Sequence, residues 1–228
     1  MTNPFKYFFS YIFPQEVEEK QSDVSGKVTV HLSKGKYTLD SIHANYSFGG
    51  LHEVFQKAFS DFKIKNRGIK NVLILGFGSG SVASILQNEY GKETEITGVE
   101  KDKAIIELAK KYFSLEQYKN LTLVNEDAFD FVFRCENKFD LIVVDLFVDL
   151  NVPEKFTGEK FLSQLGKLIS ENGILFFNIV IYKMKLRDKG HELFKSMNAL
   201  IGKTEWCRIS AQSSENWVFV CDRSRTQE

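Results

Sequence analysis

The residues with the clearest chemical potential are three alternating glycines and one carboxylate that follows them a strand later. Gly76, Gly78 and Gly80 come directly after the apolar run 72–75. Glycine permits positive φ angles and lets a ligand approach the backbone where a Cβ would block it. Glu100 lies about 20 residues after Gly80, the distance at which a nucleotide-binding βαβ unit places an acid on the ribose hydroxyls. This spacing predicts a nucleoside site.

The spacing within the glycine turn narrows the ligand. Residues 81–86 are predicted to begin a helix, with Ser79 or Ser81 as its N-cap. The glycines read G-x-G-x-G and not the G-x-G-x-x-G of dinucleotide enzymes, and no Lys-Ser/Thr pair follows as a P-loop requires. We therefore expect a nucleoside that carries no pyrophosphate.

Two further acids follow predicted strands in the same way as Glu100. Asp127 comes after the apolar run 121–124, and Asp145 after the run 141–144. Ligands of open α/β sheets bind beyond the carboxyl ends of the strands. The three carboxylates are therefore expected to meet at one edge of a parallel sheet.

Five segments in chain order carry a family resemblance: GFGSGS, GVEKD, VNEDAFDF, FDLIVVDLF and NGILFFN. Together they resemble the S-adenosylmethionine-binding fold of the class I methyltransferases. Two longer segments, FDLIVVDLFVDLNVPEKFTGEKFL and YSFGGLHEVF, are similar to the spermidine synthase-like branch of that superfamily. The resemblance spans about residues 28–178. It implies a Rossmann-like α/β fold, with a mostly parallel seven-stranded sheet, an antiparallel C-terminal hairpin and a small β-hairpin in front.

The resemblance also implies a cofactor and roles for site residues. The cofactor would be S-adenosylmethionine or its decarboxylated form, and Asp145 would be the catalytic base. Asp127, with the backbone of Ala128, would bind the adenine ring. The complete set of cofactor-binding residues is Gly76, Gly78, Ser79, Gly80, Glu100, Lys101, Asp127 and Ala128. The expected substrate-binding residues are Tyr46, His52, Glu53 and Phe147.

Several of these residues have a purely structural alternative. Asp127 could cap the following helix, and Asp145 could be a cap or turn residue. Glu53 could complement a helix dipole, with His52 solvated. Phe147 and its apolar neighbours could serve packing alone. The sequence leaves these alternatives open, and it predicts no metal site.

Two departures from the polyamine-synthase pattern bear on the reaction. Those enzymes carry an acid inside the glycine turn, in G-G-D-G, where this chain has Ser79. They also run D-x-x-D-P after the fourth strand, whereas here Val148 stands at the second acid and Asp149 follows it. A buried ammonium needs paired negative charge. We therefore expect a methyltransferase, with a polyamine aminopropyltransferase or a non-catalytic interaction module as alternatives.

The rest of the chain is predicted to frame one α/β domain. Residues 1–48 are expected to form an aromatic arm, a polar linker at 15–25 and a small β-element, and residues 49–228 the Rossmann-like domain. The arm could pack on its own domain or anchor the chain to a membrane surface or to a second copy. A homodimer through this segment is one expectation.

Composition excludes several classes of partner. Thirty basic and thirty acidic residues cancel, so no nucleic-acid partner is expected, and no run is long enough to span a membrane. Three scattered cysteines fit reduced thiols. The sequence therefore predicts a cytoplasmic protein with a small-molecule acceptor.

Overall fold

The N-terminal part of the chain forms a small antiparallel sheet. The computed structural model describes residues 4–41, 45–47, 50–148, 150–211 and 214–225. A short helix, α1 (Pro4–Phe9), precedes four strands that lie in chain order: β1 (Gln15–Ser22), β2 (Gly26–Ser33), β3 (Lys36–Ser41) and β4 (Asn45–Ser47). The predicted hairpin is thus present as β2 and β3, and one further strand pairs on each side of it. Ile42 and His43 lie outside the described residues.

The prediction of a polar linker at 15–25 is wrong, because most of that segment is β1. The strand pairs antiparallel with β2. Its charged side chains find partners on helix α4 (Lys103–Tyr112), where Lys20 pairs with Glu107, and Lys111 with Glu18. The charged residues of this segment suggested a solvated linker in the sequence, but in the structure they form ion pairs with α4.

The main sheet has seven strands: β5 (Asn71–Leu75), β6 (Glu95–Glu100), β7 (Leu121–Asn125), β8 (Phe139–Val144), β9 (Ile169–Ile181), β10 (Thr204–Ala211) and β11 (Ser214–Asp222). Their order is β10-β11-β9-β8-β5-β6-β7. Strands β5 to β9 pair in parallel, whereas β11 pairs antiparallel with both β9 and β10. This arrangement confirms the predicted fold class.

Helices cover both faces of this sheet. They are α2 (Gly50–Asp61), α3 (Ser81–Ser84), α4, α5 (Ala128–Arg134), α6 (Glu154–Thr157), α7 (Glu159–Leu168) and α8 (Lys185–Leu200). Phe55 and Ile105 represent the helices on one face, and Phe131, Leu162 and Leu193 those on the other. Strands buried on both faces read as unbroken apolar runs, which explains why these strands were visible in the sequence.

The small sheet shares its core with the main domain. Val28, Val30 and Leu39 belong to the same buried cluster as the α2 and α4 side chains. At the far end of β1, the hydroxyl of Ser22 donates to the carboxylate of Asp102, the N-cap of α4. The boundary predicted at residue 48 stays a prediction, since these contacts cross it.

Candidate functional site

The candidate site lies where the direction of strand succession reverses. Strand β5 is flanked by β6 on one side and by β8 on the other. The chain leaves β5 toward β6 and leaves β8 toward β9, so the turns after β5 and β8 run in opposite directions and leave a crevice between them. The Asp145 amide donates to the Leu75 carbonyl oxygen at 2.8 Å. A Cβ built on Gly76 would stand 2.1 Å from the Asp145 carbonyl oxygen. Such a switch point is the ligand crevice of open α/β sheets.

The glycine turn adopts backbone conformations that favour glycine. Gly76, Gly78 and Gly80 have φ angles of 85°, 57° and 95°. The predicted N-cap is wrong, since Gly80 occupies that position and no side chain caps α3. The Ser79 side chain is buried instead, and its hydroxyl has no hydrogen-bond partner. An unpaired buried hydroxyl is costly and indicates a missing polar partner.

Glu100 is fixed by two backbone donors. Its Oε2 accepts from the Gly78 amide at 3.0 Å, and its Oε1 accepts from the Asp102 amide at 2.9 Å. Burial raises the pKa of this carboxyl above its usual range, while these two amides oppose the shift. Each carboxylate oxygen keeps a second lone pair. The carboxylate can therefore accept from the two hydroxyls of a ribose while it holds the turn.

Asp127 combines the structural role with the predicted position. Its Oδ1 accepts from the Phe129 amide at 2.9 Å and caps α5, with Ala128 buried behind it. Its Oδ2 lies 2.6 Å from Lys155 Nζ and 3.1 Å from Lys101 Nζ. Burial opposes ionisation, but the Lys155 ammonium, the Phe129 amide and Lys101 together lower the pKa of this carboxyl. The cap and a ligand contact can coexist, because a carboxylate has acceptor capacity for both.

Asp145 is the acid of the site whose pKa lies near neutral pH. Burial raises its pKa to about 7, and the negative charge of Glu100 adds to the shift. Asn178 Nδ2 donates to its Oδ1 at 3.0 Å and partly opposes the shift. A carboxyl that titrates near neutral pH can accept and release a proton under ordinary conditions.

Asn178 is a site residue that the sequence did not assign with certainty. It lies inside β9, which continues to Ile181. The side chain is fully buried, and its Oδ1 has no hydrogen-bond partner. The available signal was a single amide inside the apolar run LFFNIVI. Lys155, on α6, gave no such signal.

The predicted substrate-binding residues lie on three different segments: Tyr46 on β4, His52 and Glu53 on α2, and Phe147 after β8. His52 Nε2 lies 2.6 Å from Glu89 Oε1, at the end of the π-helical turn Ile85–Glu89 that continues α3. Glu53 is exposed and Phe147 is partly buried. Tyr46 lies in β4, but its side chain is not among the described parts of the structure. Asp149 lies wholly outside the described residues. The substrate roles of these residues stay predictions.

Two further properties concern metals and membranes. Within the described ranges, no group of three His, Cys, Asp or Glu side chains is arranged to hold a metal ion. No helix in the described part of the chain combines the length and the apolar character that crossing a bilayer requires.

The fold and crevice define a Rossmann-like α/β protein of the class I methyltransferase type. A family model described as "Spermine/spermidine synthase domain" matches residues 58–226. The chain belongs to this family, which confirms the resemblance seen in its motifs.

Two curated relatives point to different reactions. One is an "eEF1A lysine and N-terminal methyltransferase homolog" of Drosophila melanogaster, 32% identical over 67% of this chain and 23% of that protein. The other is a "Polyamine aminopropyltransferase" of Clostridium botulinum, 32% identical over 68% of this chain and 56% of that protein. The chain thus spans between about a quarter and about half the length of these relatives.

Two solved structures share the fold. Spermidine synthase from Thermotoga maritima superposes with a TM-score of 0.71 at 16% identity, covering 92% of this chain and 73% of that one. Human methyltransferase-like protein 13 in complex with SAH superposes with a TM-score of 0.60 at 16% identity, covering 76% and 82% of the chains. At this identity the likeness establishes the fold alone.

Proposed function

We propose that the chain is a transferase that uses S-adenosylmethionine and transfers its methyl group. The observation that carries this proposal is Ser79, whose buried hydroxyl has no partner inside the glycine turn. A hydroxyl can donate to the carboxylate of S-adenosylmethionine, which the decarboxylated form lacks. An acid at this position would instead repel that carboxylate and attract an ammonium.

The residues of the crevice fit a nucleoside in three places. Glu100 would accept from the ribose hydroxyls, since both of its oxygens are already oriented by backbone amides. Asp127 and the Ala128 amide, at the end of β7, would bind the adenine edge. Bound S-adenosylmethionine would supply a sulfonium methyl group as electrophile. SAH and methyltransferase names among the structural neighbours and relatives support this cofactor.

Asp145 would hold and release the proton of the reaction. In methyl transfer from sulfur, the acceptor atom would give up a proton, and the Asp145 carboxylate would take it. A protonated amine has no lone pair for attack, so a base with a pKa near 7 is matched to the task. Asn178 keeps the receiving carboxylate in one orientation.

The charge at the rim of the crevice disfavours a polyamine acceptor. Residues 182–189, which follow the carboxyl end of β9, carry Lys183, Lys185, Arg187, Lys189 and one acid, Asp188. Arg187 pairs with Glu215 and Lys189 with Glu154, so Lys183 and Lys185 carry the argument. The Tyr182 hydroxyl donates to Asn151 Oδ1 at 2.7 Å, which joins this segment to the loop after Asp145. Lys101 and Lys155 both pair with the Asp127 carboxylate, which leaves one positive charge in excess there. Like charges across a recognition surface select against a polycation.

An aminopropyltransferase is the second candidate. Asp145 itself favours it, because the resembling aminopropyltransferases use an acid at this position to deprotonate the attacking amine. The relative from Clostridium botulinum, which covers as much of the chain as the methyltransferase homologue, also supports it. The two candidates differ in the donor that they require, and that difference is measurable.

The deciding experiment is calorimetric titration with S-adenosylmethionine, its decarboxylated form and S-adenosylhomocysteine. We expect the two carboxylated ligands to bind more tightly than the decarboxylated one. Ser79→Asp should reverse the order, whereas Ser60→Asp on the exposed face of α2 should leave it unchanged. Preference of the wild-type protein for the decarboxylated donor would overturn the methyltransferase proposal. Silence with all three ligands would favour the interaction module.

A further inference from the structure

The segment of residues 4–13 presents an unusual apolar surface. Phe5, Phe8, Ile12 and Phe13 are exposed by 75%, 68%, 68% and 54%. Phe9, Tyr7 and Tyr11 add further exposed ring surface. Seven such side chains expose on the order of 700 Å² together, since an aromatic side chain presents about 150–250 Å² when fully exposed. Patches of this size on a soluble domain mark an interaction site.

This segment turns its polar atoms toward the rest of the protein and its apolar side chains outward, the reverse of a helix that packs on a core. Ser10 accepts through its carbonyl oxygen from the Lys34 amide at 2.7 Å, and through its hydroxyl from the Gly35 amide at 3.1 Å. The hydroxyl oxygens of Tyr7 and Tyr11 also lie against Gly35. Positions 7, 10 and 11 therefore face the turn between β2 and β3, and they do so with polar atoms.

The opposite face is wholly apolar. Positions 5, 8, 9, 12 and 13 recur at the spacing of one helical face, and all five are Phe or Ile. Rings on this side contact each other, with centroids 5.8 Å apart for Phe8 and Phe9 and 6.2 Å apart for Phe9 and Phe13. The protein thus holds an apolar face outward by means of hydrogen bonds on the inner face.

The charge around the patch selects between partners. Residues 4–14 and the turn at 33–36 contain Lys6, Lys34 and Lys36, although the chain as a whole is neutral. Glu16 is the first acid that follows, and its carbonyl oxygen accepts from Lys6 Nζ at 2.9 Å. A partner that covers this patch therefore has to offer apolar contact and a net negative charge together. An anionic lipid surface offers apolar depth and complementary charge together.

We propose that the aromatic patch of residues 4–13 and the lysine-bearing turn at 33–36 bind the interfacial region of an anionic phospholipid membrane. Phe8, Ile12 and Phe13 would enter the boundary between headgroups and acyl chains. Lys34 and Lys36 would lie at the level of the lipid phosphates. The binding is peripheral, since the helix itself has only six residues.

The test is co-sedimentation of the purified chain with vesicles of phosphatidylcholine alone or mixed with phosphatidylglycerol. We expect binding to the mixed vesicles that weakens with added salt. Phe8→Ser with Ile12→Ser should lower the partition coefficient at least about tenfold, because the apolar contact is lost. Lys34→Gln with Lys36→Gln should lower it several-fold and remove the salt dependence.

A matched control is Met184→Ser, which removes an equally exposed apolar side chain from the rim of the crevice. It should leave vesicle binding unchanged, and thermal unfolding should show that all variants fold. Absence of sedimentation with the mixed vesicles would overturn the proposal. A fall in mass by light scattering in the Phe8→Ser, Ile12→Ser variant, without vesicle binding, would assign the patch to a second copy instead.

Discussion

The two sides of the crevice are held in place by different groups, one by backbone amides and the other by side chains. On the side of β5 and β6, backbone amides determine the geometry, since the glycine turn and the Asp102 amide hold Glu100 in place. On the side of β8 and β9, side chains determine it, since Asp145 depends on the amide of Asn178. We call the first side the cofactor half and the second the acceptor half, after the roles proposed for them. The cofactor half should tolerate little change in backbone, whereas single side chains should be able to alter the acceptor half.

The largest effect is expected at Gly76 in the cofactor half. Gly76→Ala should destabilise the fold by more than about 3 kcal/mol, because the residue has positive φ and its Cβ would overlap the Asp145 carbonyl. Gly91→Ala is the matched control, since Gly91 has a φ of 66° and open space around its Cβ. It should cost only about 1–2 kcal/mol. Equal losses in urea denaturation would show that the close approach to Asp145 has no energetic importance.

A large loss of cofactor affinity is expected from Glu100→Gln. The amide nitrogen of glutamine would face one of the two backbone donors, so the turn would lose an acceptor and gain a repulsive contact. Calorimetry should show affinity for S-adenosylhomocysteine falling roughly 10- to 100-fold. Glu95→Gln, at the exposed start of the same strand, should change nothing. An unchanged affinity in Glu100→Gln would remove this residue from the cofactor half.

The pH dependence of Asp145 probes the acceptor half. Because its pKa is raised to about 7 in the folded state, the native protein binds more protons than the unfolded chain between about pH 4 and pH 7. Stability from this group should fall as pH rises through that window, by at most about 1.4 kcal/mol per pH unit. Asp145→Asn should remove this slope in urea titrations. The same slope in wild type and variant would contradict the raised pKa.

The activity of the wild-type protein should show the opposite trend to this stability. The base acts only when ionised, so kcat/KM should rise with pH and level off above about 7. A rate that is flat between pH 5 and pH 8, measured once an acceptor is known, would mean that Asp145 does not act as base.

A smaller change is expected when the positioning residue is altered. Asn178→Leu removes the donor to ionised Asp145, so the midpoint of the pH profile should move upward by about one to two units. Ile179→Leu, the adjacent buried residue of β9, should leave the midpoint in place. A fall in rate without a shift of midpoint in Asn178→Leu would indicate a packing role alone.

The smallest effect concerns the link between the halves. Lys155→Met should raise the pKa of Asp127 toward its usual value and change cofactor affinity less than about threefold, because the ammonium is exposed. Lys160→Met, an exposed lysine on α7, is the control. A loss of tenfold or more would mean that the two halves are coupled through this ion pair.

The predictability of each half from the sequence follows the same division. Apolar runs and glycine spacing indicated β5, β6, β8 and the position of Glu100, because these features depend on local backbone geometry. Asn178 and Lys155 could be assigned only from the structure, because their partners lie on other strands and helices. Strand β1 was predicted wrongly for the same reason, since its charges are matched by α4.

The hydrogen bond between Ser22 and Asp102 connects the N-terminal sheet to the candidate cofactor site. Asp102 caps α4 with its side chain and holds Glu100 with its backbone amide. The end of strand β1 therefore supports, through Asp102, the carboxylate of Glu100. We expect that a chain excised at residue 49 would lose this support of Glu100, so the N-terminal sheet belongs to the framework of the candidate site.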